Sequence, residues 1–309
     1  MIEALRRPRR LERGDRVAII APSGPAPEER IGAGNAILES WGLEPVVLPG
    51  VRGTHPHLAY LPADDETRAA AFQDAWSDPG IAAVFSARGG YGAQRMIDHV
   101  DWQALRRAEP KVYVGFSDAT ALHEAIAVRL GAATLHGPMP TWSAFIEDTA
   151  TREHLRRTLF DPETVRRLAP PSARPLVPGR AAGVTFGGCL SLLASSVGTG
   201  EGRPDGTGGL LLLEDLEEED YRLDRYLTQL RRSGLLDGVT GIALGSWTGC
   251  GPEASVREVL LDRLGGLGVP VLGEVGFGHC APSWTVPLGV PAVLDAGAGT
   301  LEFEVPALR

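Results

Sequence analysis

The sequence predicts an α/β protein, with parallel sheets covered by helices in two domains. Three observations predict it. Short apolar, β-branched runs alternate with amphipathic stretches over most of the chain, which is the signature of consecutive β-α-β units. The length of 309 residues suits roughly two domains of ~150 residues. Between residues 161 and 178 the periodicity stops in PETVRRLAPPSARPLVPG, whose five prolines mark an interdomain linker. The domains are therefore placed at 1–165 and 180–309, with 166–179 between them.

Arg16 to Pro22 (RVAIIAP) is short, β-branched and closed by Pro and Gly, which predicts a buried parallel strand. Pro27 to Trp41 has helical spacing, with Ile31, Gly34, Leu38 and Trp41 on one face. Leu43 to Leu48 is strand-like, and Asp64 to Trp76 opens with the acidic turn that suits a helix N-terminus. Strands follow at Ile81–Ser86 and Lys111–Phe116, and a helix at Ala119–Leu130. Beyond the linker come a strand at Ala181–Phe186, a small-residue helix at Leu190–Ser196 and a strand at Gly209–Leu213. A charged helix at Asp220–Ser233 and strands near Ile242 and Val269 complete the pattern, which contains no internal repeat.

Composition removes several function classes. A net charge of −9 without a basic block opposes binding to nucleic acid or an anionic membrane, since nothing offsets phosphate repulsion. The one basic cluster, Arg6-Arg7-Pro8-Arg9-Arg10, reads as a solvated tail. No apolar stretch approaches the ~20 residues of a membrane helix, and no apolar run follows the basic start as in a signal peptide. A cytoplasmic location is expected. Lys111 is the only lysine and no Gly-rich loop ends in Gly-Lys-Ser/Thr, which excludes the standard P-loop. Cys189, Cys250 and Cys280 lie far apart and H-E-x-x-H is absent, so neither a metal site nor a cofactor is expected.

Three segments can carry chemistry. Gly115-Phe116-Ser117-Asp118-Ala119 is a G-x-S-x-A sequence between a strand and a helix. A serine in such a turn has strained backbone angles and small flanking residues, and it is either a nucleophile or a simple helix cap. Glu214 and Asp215 follow the strand Leu211-Leu212-Leu213, at the sheet edge where open α/β folds bind ligands. One of them could orient a histidine, or both could belong to a solvated acidic stretch. Gly276-Phe277-Gly278-His279 precedes a Pro-rich loop that suits a presented imidazole, with a packed structural histidine as the alternative. His123 and His136 read as packed residues. Together the three give the order serine, acid, histidine, and a hydrolytic serine needs a base and a carboxylate to hold it. A Gly-rich turn, Ser86-Ala87-Arg88-Gly89-Gly90-Tyr91-Gly92, lets backbone N–H groups approach a ligand.

These segments in this order resemble the LD-carboxypeptidase family of serine peptidases. The resemblance spans nearly the whole chain, from GDRVAIIAPSGP through DPGIAAVFSARGGYGAQRMID, VYVGFSDATALHEAI and LHGPM to GGCLSLLASSVGT, LLLEDLEEEDYRLDRYLTQLRRSGLLDGVTGIALG and GHCAPSWTVPLG. It implies Ser117 as nucleophile, His279 as general base and acid, and Glu214 as the carboxylate orienting the imidazole. It also implies an oxyanion hole from the backbone N–H groups of Asp118 and Gly90. The implied fold is a flavodoxin-like N-terminal domain and a C-terminal β/α domain, with the site at their interface in a homodimer. The implied substrate is a small peptide, a murein tetrapeptide losing its terminal D-alanine. The microcin C self-immunity branch offers a peptidyl-nucleotide as the alternative, with Trp142 as a stacking candidate; a non-catalytic binder on the same scaffold is the remaining reading. Where relatives often have Gly-Gly-Asn-Leu, this chain has Gly187-Gly188-Cys189-Leu190. Trp247 and Trp284 are candidates either for substrate walls or for packing, and Arg88 is a candidate bidentate partner of a substrate carboxylate.

Overall fold

The computed structural model describes residues 1–309 and contains two sheets. The first is built from β1 (Arg16–Ile20), β2 (Glu44–Val47), β3 (Ile81–Ser86), β4 (Val112–Gly115) and β5 (Thr134–His136). These five run parallel in the order β2-β1-β3-β4-β5, the flavodoxin-like arrangement. Its strands are nearly all apolar because helices cover both faces. Phe72, Trp76, Leu122 and Ile126 pack on one side, and Ile31, Leu38, Phe145 and Leu155 on the other. The helix Asp65–Ser77 starts where Asp64 accepts a hydrogen bond from the Thr67 N–H at 2.7 Å, so the acidic run read as a first turn includes the cap itself.

The second sheet takes β6 (Arg167–Leu168), β7 (Arg174–Val177), β8 (Arg180–Cys189), β9 (Gly209–Leu216), β10 (Gly241–Thr248) and β11 (Val271–Gly273). It also takes β13 (Pro291–Asp295) and β14 (Thr300–Phe303), in the order β6-β14-β13-β8-β9-β10-β11-β7. Strands β8 to β11 are parallel. Period-two alternation splits the Leu run of β9: Leu211 and Leu213 meet Leu223, Leu227 and Leu230 of the helix Asp220–Ser233, while Leu210 and Leu212 meet Phe277 and Val286.

Three features depart from the sequence reading. The Pro-rich segment is not bare coil, since β6 and β7 lie within it at the two edges of the eight-stranded sheet. Edges are where Pro175, which has no N–H to give, fits a strand. The short β12 (Val286–Leu288), from the back half of the chain, pairs antiparallel with β5 and so completes the first sheet. The N-terminal arginine cluster stays solvent-facing at Arg6 and Arg9 but is not a free tail: Arg6 donates to the Leu130 carbonyl, Arg7 to that of Pro306, and the Leu5 N–H to Gly289 at 2.8 Å. Ion pairs Arg203–Glu124 and Arg129–Glu201 also tie the two halves together. No helix is long and apolar enough to cross a membrane.

Candidate active site

Strand order reverses between β1 and β3, and the loops leaving their carboxyl ends meet where the Gly24 N–H donates to the Gly89 carbonyl at 2.9 Å. Beside them β4 ends at Gly115, and the chain turns into a single 3-10 turn, Ser117–Ala119, that continues as the helix Thr120–Ala125. Ser117 has φ 62°, the left-handed region that a non-Gly residue enters at a cost of about 1–3 kcal/mol. The small flanks have a steric reason, because a Cβ on Gly115 would stand 2.7 Å from the Ala119 Cβ. Every residue from Lys111 to Thr120 is buried except Ser117. The turn therefore presents one hydroxyl.

The Gly-rich loop lies directly against that hydroxyl. A Cβ on Gly89 would fall 3.0 Å from Ser117 Oγ, and Gly90 has φ 112°. The Asp118 carboxylate fixes the arrangement by accepting from the Ala93 N–H at 2.8 Å, and burial pushes its proton affinity up. The Asp118 N–H sits in the first turn, where a helix leaves its N–H groups without intrahelical partners.

Glu214 and Asp215 point to opposite faces of β9, and this separates their roles. Glu214 is fully buried, and its Oε2 accepts from His279 Nδ1 at 2.6 Å and from the His279 backbone N–H at 3.3 Å. Asp215 accepts instead from the Ser191 N–H at 2.8 Å and the Leu216 N–H at 2.9 Å, and burial pushes its carboxyl up. Cys189, in the position noted as a departure, donates its thiol to Asp215 Oδ1 at 3.3 Å.

Burial alone would favour a neutral His279, but the charge and hydrogen bond of Glu214 outweigh it and hold the proton affinity above the ordinary imidazole range. With Nδ1–H donated to Glu214, the ring presents Nε2 as acceptor. The imidazole packs on Phe116, the neighbour of Ser117, with ring centroids 4.6 Å apart. Thr248 and Ser283 hold the loop by donating to the carbonyls of His279 and Gly278, at 2.6 and 2.8 Å.

Ser117 and His279 line one cavity of about 690 Å³, together with Arg30, Arg88, Gly90 and Trp142. The side-chain hydrogen bond of His279 goes to Glu214 and none joins it to Ser117; such catalytic bonds often tighten only in the substrate complex. Arg88 is exposed and anchored by one hydrogen bond to the Pro25 carbonyl at 2.9 Å. Arg30, not anticipated, stands beside it on the helix Glu28–Ser40 that follows β1. The signal for it was positional, since the first helix after β1 flanks the crevice of a doubly wound sheet. Trp247 and Trp284 do not wall this cavity. They line a second one of about 620 Å³, on the other side of the loop that carries His279, together with Cys280.

A strained serine at a strand-to-helix turn and a carboxylate-held histidine on one cavity are the equipment of a serine hydrolase. The comparisons narrow this class. Residues 17–137 match the LD-carboxypeptidase N-terminal domain and residues 182–294 the LD-carboxypeptidase C-terminal domain. A Streptomyces coelicolor protein named "Putative carboxypeptidase" is 60% identical over 98% of this chain and 97% of its own. The murein tetrapeptide carboxypeptidase of Pseudomonas aeruginosa is 32% identical over 91% of this chain and 93% of its own. The solved structure of the microcin C7 self-immunity protein superposes with a TM-score of 0.86, covering 98% of this chain and 100% of that one, and at 24% identity it shows the shared fold. The chain belongs to the LD-carboxypeptidase family of serine peptidases.

Proposed function

We propose that this protein is a serine LD-carboxypeptidase that releases the terminal D-amino acid of a murein-derived tetrapeptide through an acyl-enzyme. The observation that carries the reading is the 2.6 Å contact between Glu214 and His279 Nδ1, which leaves Nε2 as the free acceptor of a histidine that lines the same cavity as Ser117. Ser117 Oγ attacks the carbonyl of the L-configured centre while His279 Nε2 takes the hydroxyl proton. The tetrahedral oxyanion is met by the backbone N–H groups of Asp118 and Gly90. Collapse breaks the C–N bond, and His279 returns the proton to the departing amine. Water, deprotonated by His279, then cleaves the ester and restores Ser117.

Arg88 and Arg30, both exposed on the cavity wall, supply the positive charge that a terminal carboxylate requires. The test is incubation with murein tetrapeptide and, separately, with a peptidyl-nucleotide conjugate. Release of D-alanine from the tetrapeptide alone is expected. Cleavage of the conjugate alone would move the protein to the second reading, a peptidyl-nucleotide peptidase, which one observation favours: Trp142 sits on the cavity wall against Phe116, as an aromatic platform for a base.

A further inference from the structure

Glu214 is completely buried, yet only one of its oxygens is served. Oε2 takes both hydrogen bonds from His279, while Oε1 has no partner. A buried carboxylate with an unserved oxygen is costly, so whatever faces Oε1 matters. What faces it is His136, whose Nε2 lies 4.0 Å away. His136 is itself buried, and neither of its ring nitrogens has a partner. Two unsatisfied groups of complementary chemistry therefore confront each other across a gap about 1 Å longer than a hydrogen bond. Burial and the nearby His279 push the proton affinity of His136 down to about 3, so it is a neutral imidazole with one N–H to give.

The surroundings fix His136 in this position. It ends β5, pairs with Val286 of β12 and with Gly115 two residues before Ser117, and sits between the rings of Phe116 and Phe277 at 5.9 and 5.8 Å. The ring thus comes from the half of the chain that carries the serine, and it faces the carboxylate contributed by the other half. We propose that His136 is a positioning residue, whose Nε2–H donates to Glu214 Oε1 and so aims Oε2 at His279 Nδ1. This rests on the reading of Glu214 and His279 given above.

His136→Phe keeps an aromatic ring between Phe116 and Phe277 but removes the donor, whereas His136→Gln restores an N–H near Nε2. Two readouts are taken on the whole protein: steady-state kinetics, and the downfield proton resonance of the short His279 Nδ1–H bond. His136→Phe is expected to lower kcat about tenfold or more with KM little changed, and to shift or abolish the resonance; His136→Gln recovers most of both. In a Glu214→Gln background, His136→Phe costs nothing further. The proposal is overturned if His136→Phe folds and keeps the wild-type kcat and resonance, or if His136→Gln is as impaired as His136→Phe in both. Were wild-type protein to release no D-alanine, the peptidase reading would fall, while the resonance would still decide the contact between His136 and Glu214.

Discussion

Gly278 leaves vacant the space that the Glu214 carboxylate occupies. A Cβ at 278 would stand 2.6 Å from Glu214 Cγ and closer still to Oε2, and Gly278 has φ 91°. The glycine before the histidine is therefore what allows acid and imidazole to meet.

Gly278→Ala is expected to displace Glu214 or the loop and to lower kcat/KM at least about a hundredfold. Stability falls as well, by about 2 kcal/mol or more, because alanine is disfavoured at this φ even before the clash. Kinetics and urea unfolding measure the two effects. A variant with wild-type values in both would show that the loop adapts freely.

Ser117 presents the reverse case of strain retained. Ser117→Ala and His279→Ala are each expected to lower turnover by roughly three to six orders of magnitude, while both proteins still fold. Ser117→Gly is equally inactive but at least as stable as wild type, since glycine enters φ 62° without strain. Thermal melting of the three variants checks the ranking.

The pH dependence has two parts. His279 must be neutral to accept a proton, so the acidic limb of kcat/KM lies above the ordinary imidazole range. The contribution of His279 to stability has the opposite sense: its raised proton affinity stabilises the fold fully below the unfolded value and fades as pH rises through the folded one. His123 and His136, pushed by burial down to about 3, and His154, down to about 4, act the other way. Unfolded chains bind protons at these sites before the native protein does, so each site loses about 2 kcal/mol of stability as pH falls from about 6.5 to about 5. Urea titrations across that interval are expected to show steep destabilisation, and a flat profile would contradict the burial of these rings.

Placement separates the two arginines from the two tryptophans. Arg88→Ala and Arg30→Ala are expected to raise KM for a substrate with a free terminal carboxylate, and to act less on its amide. Trp247→Ala and Trp284→Ala, altering the other cavity, leave KM for the same substrate within about twofold.

Much of this architecture is legible in the residues. The apolar run at β1 and the Leu223, Leu227, Leu230 spacing of the helix Asp220–Ser233 each declare their period and their buried face. The turn at Ser117 is readable because steric need fixes Gly115 and Ala119. Other features depend on register, which local sequence does not encode. The choice between Glu214 and Asp215 turns on which face of β9 meets the histidine loop. The position of Trp284 depends on the fold in a similar way, since the loop carrying His279 has a cavity on each side. Strand β12 is three residues long, and its partner β5 lies far back in the chain, so no local period announces the pairing.

Labelling by a fluorophosphonate probe reads out whether Ser117 is an activated nucleophile, with the modified residue located by peptide mass spectrometry. The expectation is a single adduct on Ser117, formed orders of magnitude more slowly in His279→Ala. Folded wild-type protein that stays unlabelled at Ser117, while a known serine hydrolase reacts in the same tube, would contradict it.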